Sequence, residues 1–316
     1  MSEELKTALG VDFGGTSVKA AVIRGEEVIG EMERIHTQEF TNPDDLIDAI
    51  VDKIGDIKKR HPEIEAVGVG VPGAIDFKKG MTYNLTNVPG WKSVPLRDIL
   101  SERTGIPTML ENDANCMAFA EWKYGAGQGF DNVVCVTLGT GVGGGLILNG
   151  KMYRGNQSAA GEIGQMSVDL HGVDGPYGNN GALERYIGNR QIGELARQMY
   201  FDHDGTKLSE ADATPEALSA RASQGDEIAR KVWVRVAEYL GDVLSSIVYL
   251  LNPDAIVIGG GVAYAGKLIF EPLSKNLASS LSTEFFEALK VVPAKFGNTA
   301  GVIGCSAMAL EELSTN

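Results

Sequence analysis

The sequence LGVDFGGTSVK, residues 9–19, is the stretch around which the rest of the chain is organised. An apolar run ends at the carboxylate of Asp12, turns at Gly14, Gly15 and Thr16, and then resumes. Glycines let backbone N–H groups approach a phosphate closely, because no Cβ stands in the way. A carboxylate just before such a turn would face the cation that accompanies a phosphate. An ordinary tight hairpin has the same pattern, so this stretch alone leaves both interpretations open.

A second copy of the pattern lies in the middle of the chain. Residues 133–138 form an apolar run that leads into the glycine-rich sequence GTGVGGG, and a strand pattern follows as far as the Asn-Gly pair that ends at Gly150. Asn-Gly between apolar runs is a strong hairpin signal. Gly14 matches Gly139, and Gly25 matches Gly150, at the same offset of 125 residues. The shared offset predicts a duplicated domain built from strand, glycine turn, strand and hairpin.

Length, charge and cysteine content exclude several classes of protein. With 316 residues, the chain is long enough for two domains, each with its own core. A formal net charge of −14 argues against a nucleic-acid partner, because a polyanion would repel such a surface. No uninterrupted apolar run reaches transmembrane length, and the first predicted strand starts too early to leave room for a signal peptide. The three cysteines are scattered and lack metal-ligand spacing, so we expect a cytoplasmic protein with no membrane partner.

Strand patterns alternate with helical patterns along the chain, which is typical of an α/β protein. The sequence GTGVGG has the spacing of a dinucleotide-binding loop, but a strand and a hairpin follow it where such a loop needs a helix, which excludes a Rossmann site. A third glycine loop, residues 259–261, follows a buried strand, and we expect a helix directly after it. The N-terminus of that helix would favour an anion or the polar edge of a nucleotide.

Three carboxylates in polar or glycine-rich surroundings are candidates for chemistry. Asp113 lies in a polar segment at the end of a short strand, where it would accept the proton of an alcohol that attacks phosphorus. Aspartate also caps helices, and a helical pattern starts at Ala114. Glu162 and Glu184 lie near glycines, where they would accept hydrogen bonds from particular hydroxyl groups of a polyhydroxyl ligand. The alternative is that both are solvated charges of a loop. The patterns leave each pair of alternatives open.

Taken together, these motifs resemble the ROK family of sugar kinases and sugar-responsive repressors, within the hexokinase–actin-like superfamily. DFGGT at residues 12–16 is similar to the first phosphate loop of the family, and LGTGVGGG at residues 138–145 is similar to the second. IGGG at residues 258–261 resembles the adenosine loop, and ENDAN at residues 111–115 resembles the catalytic segment. The resemblance covers nearly the whole chain. It implies an α/β fold of two duplicated ribonuclease-H-like domains of the actin and hexokinase type, with a central cleft.

The resemblance also implies the domain limits. Residues 1–113 would form the N-terminal α/β domain, and residues 114–298 would form a larger C-terminal α/β domain. A last helix, at about residues 299–316, would pack back on the first domain.

The same resemblance assigns residues to each ligand. Asp113 would be the catalytic base, and Asp12 would face Mg²⁺, largely through water. The residues implied to bind the sugar are Gly73, Asn87, Asn112, Asp113, Glu162, Gln165 and Glu184. The residues implied to bind ATP are Asp12, Gly14, Gly15, Thr16, Lys19, Gly139, Thr140, Gly141, Gly260 and Gly261.

One region departs from the family pattern. Many members bind a structural zinc ion through one histidine and three cysteines, and here those positions hold Gln165, Gly175, Tyr177 and Ala182. The loss of all four ligands predicts that this chain has no zinc site. The loop would then be held in another way, with packing of Tyr177 as the candidate. Gln165 would still hydrogen-bond a sugar hydroxyl.

The sequence favours an enzyme over a regulator. Repressor members carry a DNA-binding helical domain before the first phosphate loop, whereas this chain has eight residues before Leu9, is acidic and keeps the candidate base. We therefore expect ATP-dependent phosphorylation of a hexose, with glucose to glucose 6-phosphate as the first candidate, in a homodimer. The alternatives are a kinase for fructose, mannose or an N-acetylhexosamine, a glucokinase that uses inorganic polyphosphate, and a non-catalytic sugar-binding regulator.

Overall fold

Two five-stranded sheets form the framework of the molecule, whose computed structural model describes residues 5–85 and 88–315. The first part of the chain contains β1 (Thr7–Phe13), β2 (Ser17–Arg24), β3 (Glu27–His36), α1 (Pro43–Arg60), β4 (Ile64–Val71), β5 (Ile75–Asp76), β6 (Met81–Thr82), α2 (Leu96–Thr104) and β7 (Thr108–Asn112). The second part contains α3 (Asp113–Tyr124), β8 (Val133–Leu138), β9 (Val142–Leu148), β10 (Lys151–Met152), α4 (Glu184–Ile187), α5 (Asn189–Asp204), α6 (Pro215–Ser223), α7 (Glu227–Leu251), β11 (Ala255–Gly259), α8 (Lys267–Ser280), α9 (Thr283–Ala288), β12 (Lys290–Pro293) and α10 (Ala300–Thr315).

The two sheets repeat one topology. The strand order of the first sheet is β3-β2-β1-β4-β7, with β1, β2 and β3 antiparallel and with β4 and β7 parallel to β1. The second sheet has the matching order β10-β9-β8-β11-β12, with the same antiparallel and parallel pairings. The matching hairpin glycines, Gly25 at φ 64° and Gly150 at φ 68°, both adopt the left-handed conformation that favours glycine. The repeated order confirms the predicted α/β fold of two duplicated domains.

The start of α1 shows how the sequence sets a helix boundary. The side chain of Asn42 accepts a hydrogen bond from the backbone N–H of Asp45 at 3.0 Å, which satisfies one of the free donors of the first turn. Pro43 occupies the first helical position, where its missing N–H costs nothing. The Asn42-Pro43 pair therefore accounts for the start of α1 at Pro43.

The structure corrects the prediction of a helix directly after the third glycine loop. Residues 261–265 form a short 3₁₀ helix, and α8 begins only at Lys267. Gly260 at φ 86° and Gly266 at φ 57° flank this turn, and both conformations interrupt a right-handed helix. The loop therefore does not present the N-terminus of an α-helix.

Helices α3 and α10 lie between the two sheets. One apolar cluster joins both helices to the inner faces of both sheets, through side chains such as Ala8, Ala118, Val133 and Val302. The outer face of the first sheet is covered by α1 and α2, and the outer face of the second sheet by α5, α6, α7 and α8. The molecule therefore has a layered core in which α3 and α10 connect the two sheets.

Glycines permit this close packing. A Cβ at Gly68 of β4 would lie 1.9 Å from the backbone oxygen of Cys305, and a Cβ at Gly304 of α10 would lie 1.7 Å from that of Cys116. Helix α10 thus lies directly on β4 and α3 because glycine stands at each crossing. The predicted limit at residue 113 falls where β7 ends and α3 begins, and the domain limits themselves stay a prediction.

The helices of residues 5–85 and 88–315 do not meet the requirements of a membrane span. None of them combines the necessary length with the necessary apolar character.

Candidate active site

The two glycine turns connect the first two strands of each sheet. In the first turn, the N–H of Gly14 donates to the carbonyl oxygen of Ser17 at 2.9 Å, and Gly15 and Thr16 are exposed. In the second turn, the N–H of Gly139 donates to the oxygen of Gly141 at 3.0 Å. Thr140, between these two glycines, is exposed.

Gly139 is not required by the packing of the protein itself. A Cβ at this position would meet no heavy atom within 4 Å, so the chain leaves open space beside the turn. Close approach of a ligand to the backbone is a physical reason for glycine at such a position.

Asp12 and Lys19 lie directly opposite each other on β1 and β2. The Nζ of Lys19 is 3.5 Å from the Oδ2 of Asp12, and both side chains are largely buried. Burial raises the pKa of the Asp12 carboxyl above its usual range, and the positive charge of Lys19 opposes that change. A Cβ at Gly301 would lie 2.8 Å from the carboxyl carbon of Asp12, so the first turn of α10 lies against this carboxylate.

Asp113 is the first residue of α3, directly after β7. Burial is the largest cause that raises the pKa of its carboxyl from 3.8 to about 6, and the negative charges of Asp12 and Glu162 add to it. A hydrogen bond from the N–H of Ala114 to Oδ1, at 2.9 Å, partly opposes the shift. The result is a carboxyl group that titrates near neutral pH and lies in the electrostatic range of two other carboxylates.

Asn112 is the N-cap of α3. Its Oδ1 accepts hydrogen bonds from the N–H groups of Ala114 at 2.9 Å and Asn115 at 3.2 Å. Its Nδ2 donates to the carbonyl oxygen of Gly73 at 3.3 Å, which ties the turn after β4 to the start of α3. Helix capping, one of the two interpretations of the polar segment, is therefore mainly the role of Asn112.

Glu184 lies against the second glycine turn, and Glu162 is its electrostatic neighbour. The Oε2 of Glu184 accepts the N–H of Val142 at 3.1 Å, and a Cβ at Gly141 would lie 2.2 Å from the same oxygen. Burial and the neighbouring charge of Glu184 raise the pKa of the Glu162 carboxyl. The charge of Asp12 thus acts on Asp113, Glu162 acts on Asp113, and Glu184 acts on Glu162.

Gly260 lies next to the strand that leads into the second glycine turn. It adopts φ 86°, and a Cβ there would lie 2.2 Å from the carbonyl oxygen of Leu138, so only glycine fits. A Cβ at Gly261 would meet no heavy atom within 4 Å, which leaves space at the surface of this loop. The structure therefore places the third glycine loop beside the second one.

Gln165 has an unusual environment. Its Oε1 is buried and has no hydrogen-bond partner among the described residues, so a ligand donor would satisfy it. Its backbone oxygen accepts a hydrogen bond from the Nδ2 of Asn179 at 2.9 Å.

The loop after Gln165 is held by hydrogen bonds. The N–H of Gly175 donates to the oxygen of Asn179 at 2.6 Å, and the Oγ of Ser167 donates to the oxygen of Asn180 at 2.7 Å. The prediction that packing of Tyr177 holds the loop in place of zinc is wrong, because this residue is 82% exposed. The loop closes on itself through polar and glycine residues. These residues offer no apolar surface against which the ring of Tyr177 could pack.

No group of three or more histidine, cysteine, aspartate or glutamate side chains suited to a metal ion is present within residues 5–85 and 88–315. Asp12 and Asp113 are a pair of carboxylates, and such a pair fits Mg²⁺, which keeps most of its water and binds mainly through substrate phosphates. The absence of zinc remains a prediction.

Two further residues belong to this region and were not singled out by the sequence patterns. Glu111 is fully buried, and its Oε2 accepts a hydrogen bond from the Nε of Arg154 at 2.6 Å. A charged residue inside the apolar strand β7 is a signal that a partner is needed, but it does not say which residue supplies it.

The predicted sugar ligand Asn87 lies outside the described residues.

Comparisons with known proteins agree with this architecture. The model of the ROK family matches residues 8–312. The glucokinase of Streptomyces coelicolor is 32% identical over 312 residues, which cover 96% of this chain and 97% of that protein. The N-acetyl-D-glucosamine kinase of Haemophilus influenzae is 31% identical over 320 residues, which cover 95% of this chain and 98% of that protein. The crystal structure of a ROK family glucokinase from Streptomyces griseus in complex with glucose and AMPPNP aligns with a TM-score of 0.81 at 32% identity and covers 96% of this chain and 99% of that one. The chain therefore belongs to the ROK family.

Proposed function

We propose that the protein is an ATP-dependent hexose kinase that converts glucose to glucose 6-phosphate. The observation that carries the proposal is the carboxyl group of Asp113, which lies at the start of α3 within the electrostatic range of Asp12 and Glu162. A carboxylate whose pKa is raised to about 6 is ionised at neutral pH and is also a stronger base than an ordinary aspartate. These are the properties that proton removal from a sugar hydroxyl requires.

Asp113 accepts the proton of the 6-hydroxyl group while the oxygen of that hydroxyl bonds to the γ-phosphorus. The bond between this phosphorus and the bridging oxygen of the ADP leaving group breaks in the same displacement. A positioned general base contributes about 10²–10⁴-fold to such a reaction. The rest of the rate enhancement comes from positioning and from stabilisation of the phosphate charge.

The glycine turns at residues 14–16 and 139–141 supply backbone N–H groups for the phosphates of the nucleotide. The open space beside Gly139 supports this role. A bound Mg²⁺ ion would neutralise the β- and γ-phosphates, and Asp12 would face it through water. Lys19 balances the charge of Asp12 on the opposite strand.

The sugar lies, in this proposal, against Gly73, Asn112, Glu162, Gln165 and Glu184. Short carboxylate and amide acceptors fixed by the backbone distinguish hydroxyl groups, because a missing partner leaves a buried polar atom unpaired. The unpaired Oε1 of Gln165 is an acceptor of this kind. The match to glucokinases favours glucose, and the match to an N-acetyl-D-glucosamine kinase makes that sugar the second candidate.

A coupled assay of ADP release tests the proposal directly. The purified protein is assayed with glucose, fructose, mannose, N-acetylglucosamine and N-acetylmannosamine, and with ATP and inorganic polyphosphate as donors in parallel. We expect the highest kcat/KM with glucose and ATP. Sugar binding without sugar-dependent release of ADP, or product from polyphosphate, would overturn the proposal and indicate instead a regulator or a polyphosphate-dependent kinase.

We also propose that the enzyme works as a homodimer, which is the commonest symmetric assembly. Light scattering coupled to size-exclusion chromatography measures this directly. A mass of twice the 33.6 kDa of one chain supports the proposal, and a monomer contradicts it.

A further inference from the structure

Glu111 has a network of partners that its position in the strand does not explain. The residue is fully buried in β7 and precedes Asn112 and Asp113. Its Oε1 accepts the backbone N–H of Asn112 at 2.9 Å and the Nδ2 of Asn115 at 3.0 Å. One carboxylate oxygen therefore holds both the backbone and the first helical turn around the candidate base.

The other oxygen of Glu111 is held from the second part of the chain. Arg154 follows β10, and its Nε donates to the Oε2 of Glu111 at 2.6 Å. The guanidinium carbon of Arg154 lies 3.9 Å from the centroid of the Phe77 ring, so the same side chain also stacks on a residue of the first part of the chain.

The segment that carries Arg154 makes a second contact with the first part of the chain. The N–H of Phe77 donates to the Oγ of Ser158 at 3.4 Å. Ser158 adopts φ 57° and Gly155 adopts φ 69°, conformations that bend this segment back on itself. The segment continues directly to Glu162, a carboxylate in the electrostatic neighbourhood of Asp113.

We propose that Arg154 is a positioning residue for phosphoryl transfer. Through Glu111 it fixes the start of α3, and with it the carboxylate of Asp113. Through its own backbone it ties the segment that leads to Glu162 to the same point. The inference rests on the proposed kinase function, since it concerns the geometry between the base and the sugar. A displacement of the reacting groups by about 1 Å costs on the order of 10²-fold in rate.

Two substitutions at Arg154 and one matched control test the inference. Arg154→Met removes the guanidinium and leaves the Glu111 carboxylate buried without its cation. Arg154→Lys keeps a cation near Glu111 but loses the planar stacking on Phe77. Arg97 is the control, because its guanidinium also reaches the segment at Phe77, with hydrogen bonds to the carbonyl oxygens of Phe77 and Lys78, and it has no hydrogen bond to Glu111.

We expect Arg154→Met to lower kcat by about 10- to 100-fold when assayed well below its Tm. Arg154→Lys recovers part of the loss, and Arg97→Met keeps kcat within about twofold of the unmodified enzyme. The separate values of kcat and of KM for the sugar are essential, because a purely structural role lowers Tm and leaves kcat of the folded protein unchanged.

A kcat within twofold for Arg154→Met, or an equal loss for Arg97→Met, would overturn the inference. If Arg154→Met does not fold, Arg154→Lys is the deciding variant, because a lysine there keeps the buried carboxylate of Glu111 paired with a cation. A several-fold lower kcat of Arg154→Lys supports the inference, and an unchanged kcat contradicts it. Failure of the kinase proposal is distinguishable, because the unmodified protein would then show no sugar-dependent release of ADP.

Discussion

Asp113 owes its basicity to its surroundings. Burial disfavours the ionised form, and the negative charges of Asp12 and Glu162 disfavour it further. Mg²⁺ near Asp12 would partly offset this repulsion when the nucleotide is bound. The ionised carboxylate of Asp113 therefore lowers the stability of the free protein.

Asp113→Asn should make the free protein more stable at neutral pH. The native pKa of about 6 lies above the ordinary value of 3.8, so Asp113 ionises in the unfolded chain before it ionises in the folded protein, and the folded state loses relative stability as pH rises from about 4 to about 6. The gain for Asn is about 3 kcal/mol above pH 6, shrinks as pH falls from 6 to 4, and vanishes below pH 4. Thermal unfolding of both proteins at a series of pH values measures it. A difference in Tm that is independent of pH, or of opposite sign, would contradict the assigned environment.

Local patterns identified Asp113 and Asn112 as polar candidates but could not separate capping from catalysis, since both residue types cap helices. The structure assigns the cap to Asn112 through its bonds to two N–H groups. The pair formed by Glu111 and Arg154 has no local pattern, because 43 positions separate the two residues in the chain.

At the level of elements, the glycine turn after β8 provides a sharp test of nucleotide binding. Gly139→Ala introduces a methyl group that meets no protein atom within 4 Å, so folding should be unaffected. We expect KM for ATP to rise by roughly tenfold, equivalent to about 1.4 kcal/mol, with KM for the sugar nearly unchanged. Steady-state kinetics with each substrate varied in turn, together with Tm, make the measurement. Equal changes in both KM values would show that the turn does not bind the nucleotide.

The loop between Gln165 and Glu184 is held by hydrogen bonds such as those of Asn179, without a zinc ligand at any of the four family positions. Treatment with a strong chelator followed by dialysis should therefore leave the Tm of the free protein unchanged. Metal analysis of the purified protein should find no stoichiometric zinc. A lower Tm after chelation, restored by zinc, would contradict this account of the loop.

The missing ligands could be identified in the sequence, whereas the exposure of Tyr177 depends on how the loop closes.

At the scale of the whole molecule, the crossing of α3 and α10 joins the two sheets. Gly304→Ala would place a methyl carbon 1.7 Å from the backbone oxygen of Cys116, and the two helices would have to move apart. We expect a loss of about 3 kcal/mol or more, or failure to fold. Gly55→Ala is the matched control, because this glycine also lies in a helix but a Cβ there meets nothing within 4 Å, and it should gain up to about 1 kcal/mol. Chemical denaturation of both variants checks the contrast. Similar stability of the two would show that the crossing is not tightly packed.

The duplicated architecture could be predicted because two glycine pairs share one offset, and Gly25 and Gly150 lie in the turns of matching hairpins. The contact of Gly304 with Cys116 could not be predicted, because it joins two helices that are far apart in the sequence. It is also made to a backbone oxygen, so the residue type at position 116 does not reveal it. The 3₁₀ turn after Gly260 could not be predicted either, because a triple glycine is compatible with several backbone conformations.

Turnover of Asp113→Asn with glucose and ATP shows whether Asp113 is the catalytic base. We expect a kcat lower by about 10²–10⁴-fold, with a Kd for glucose within a few-fold of that of the unmodified protein. A variant that binds glucose and keeps nearly full kcat would contradict this role of Asp113.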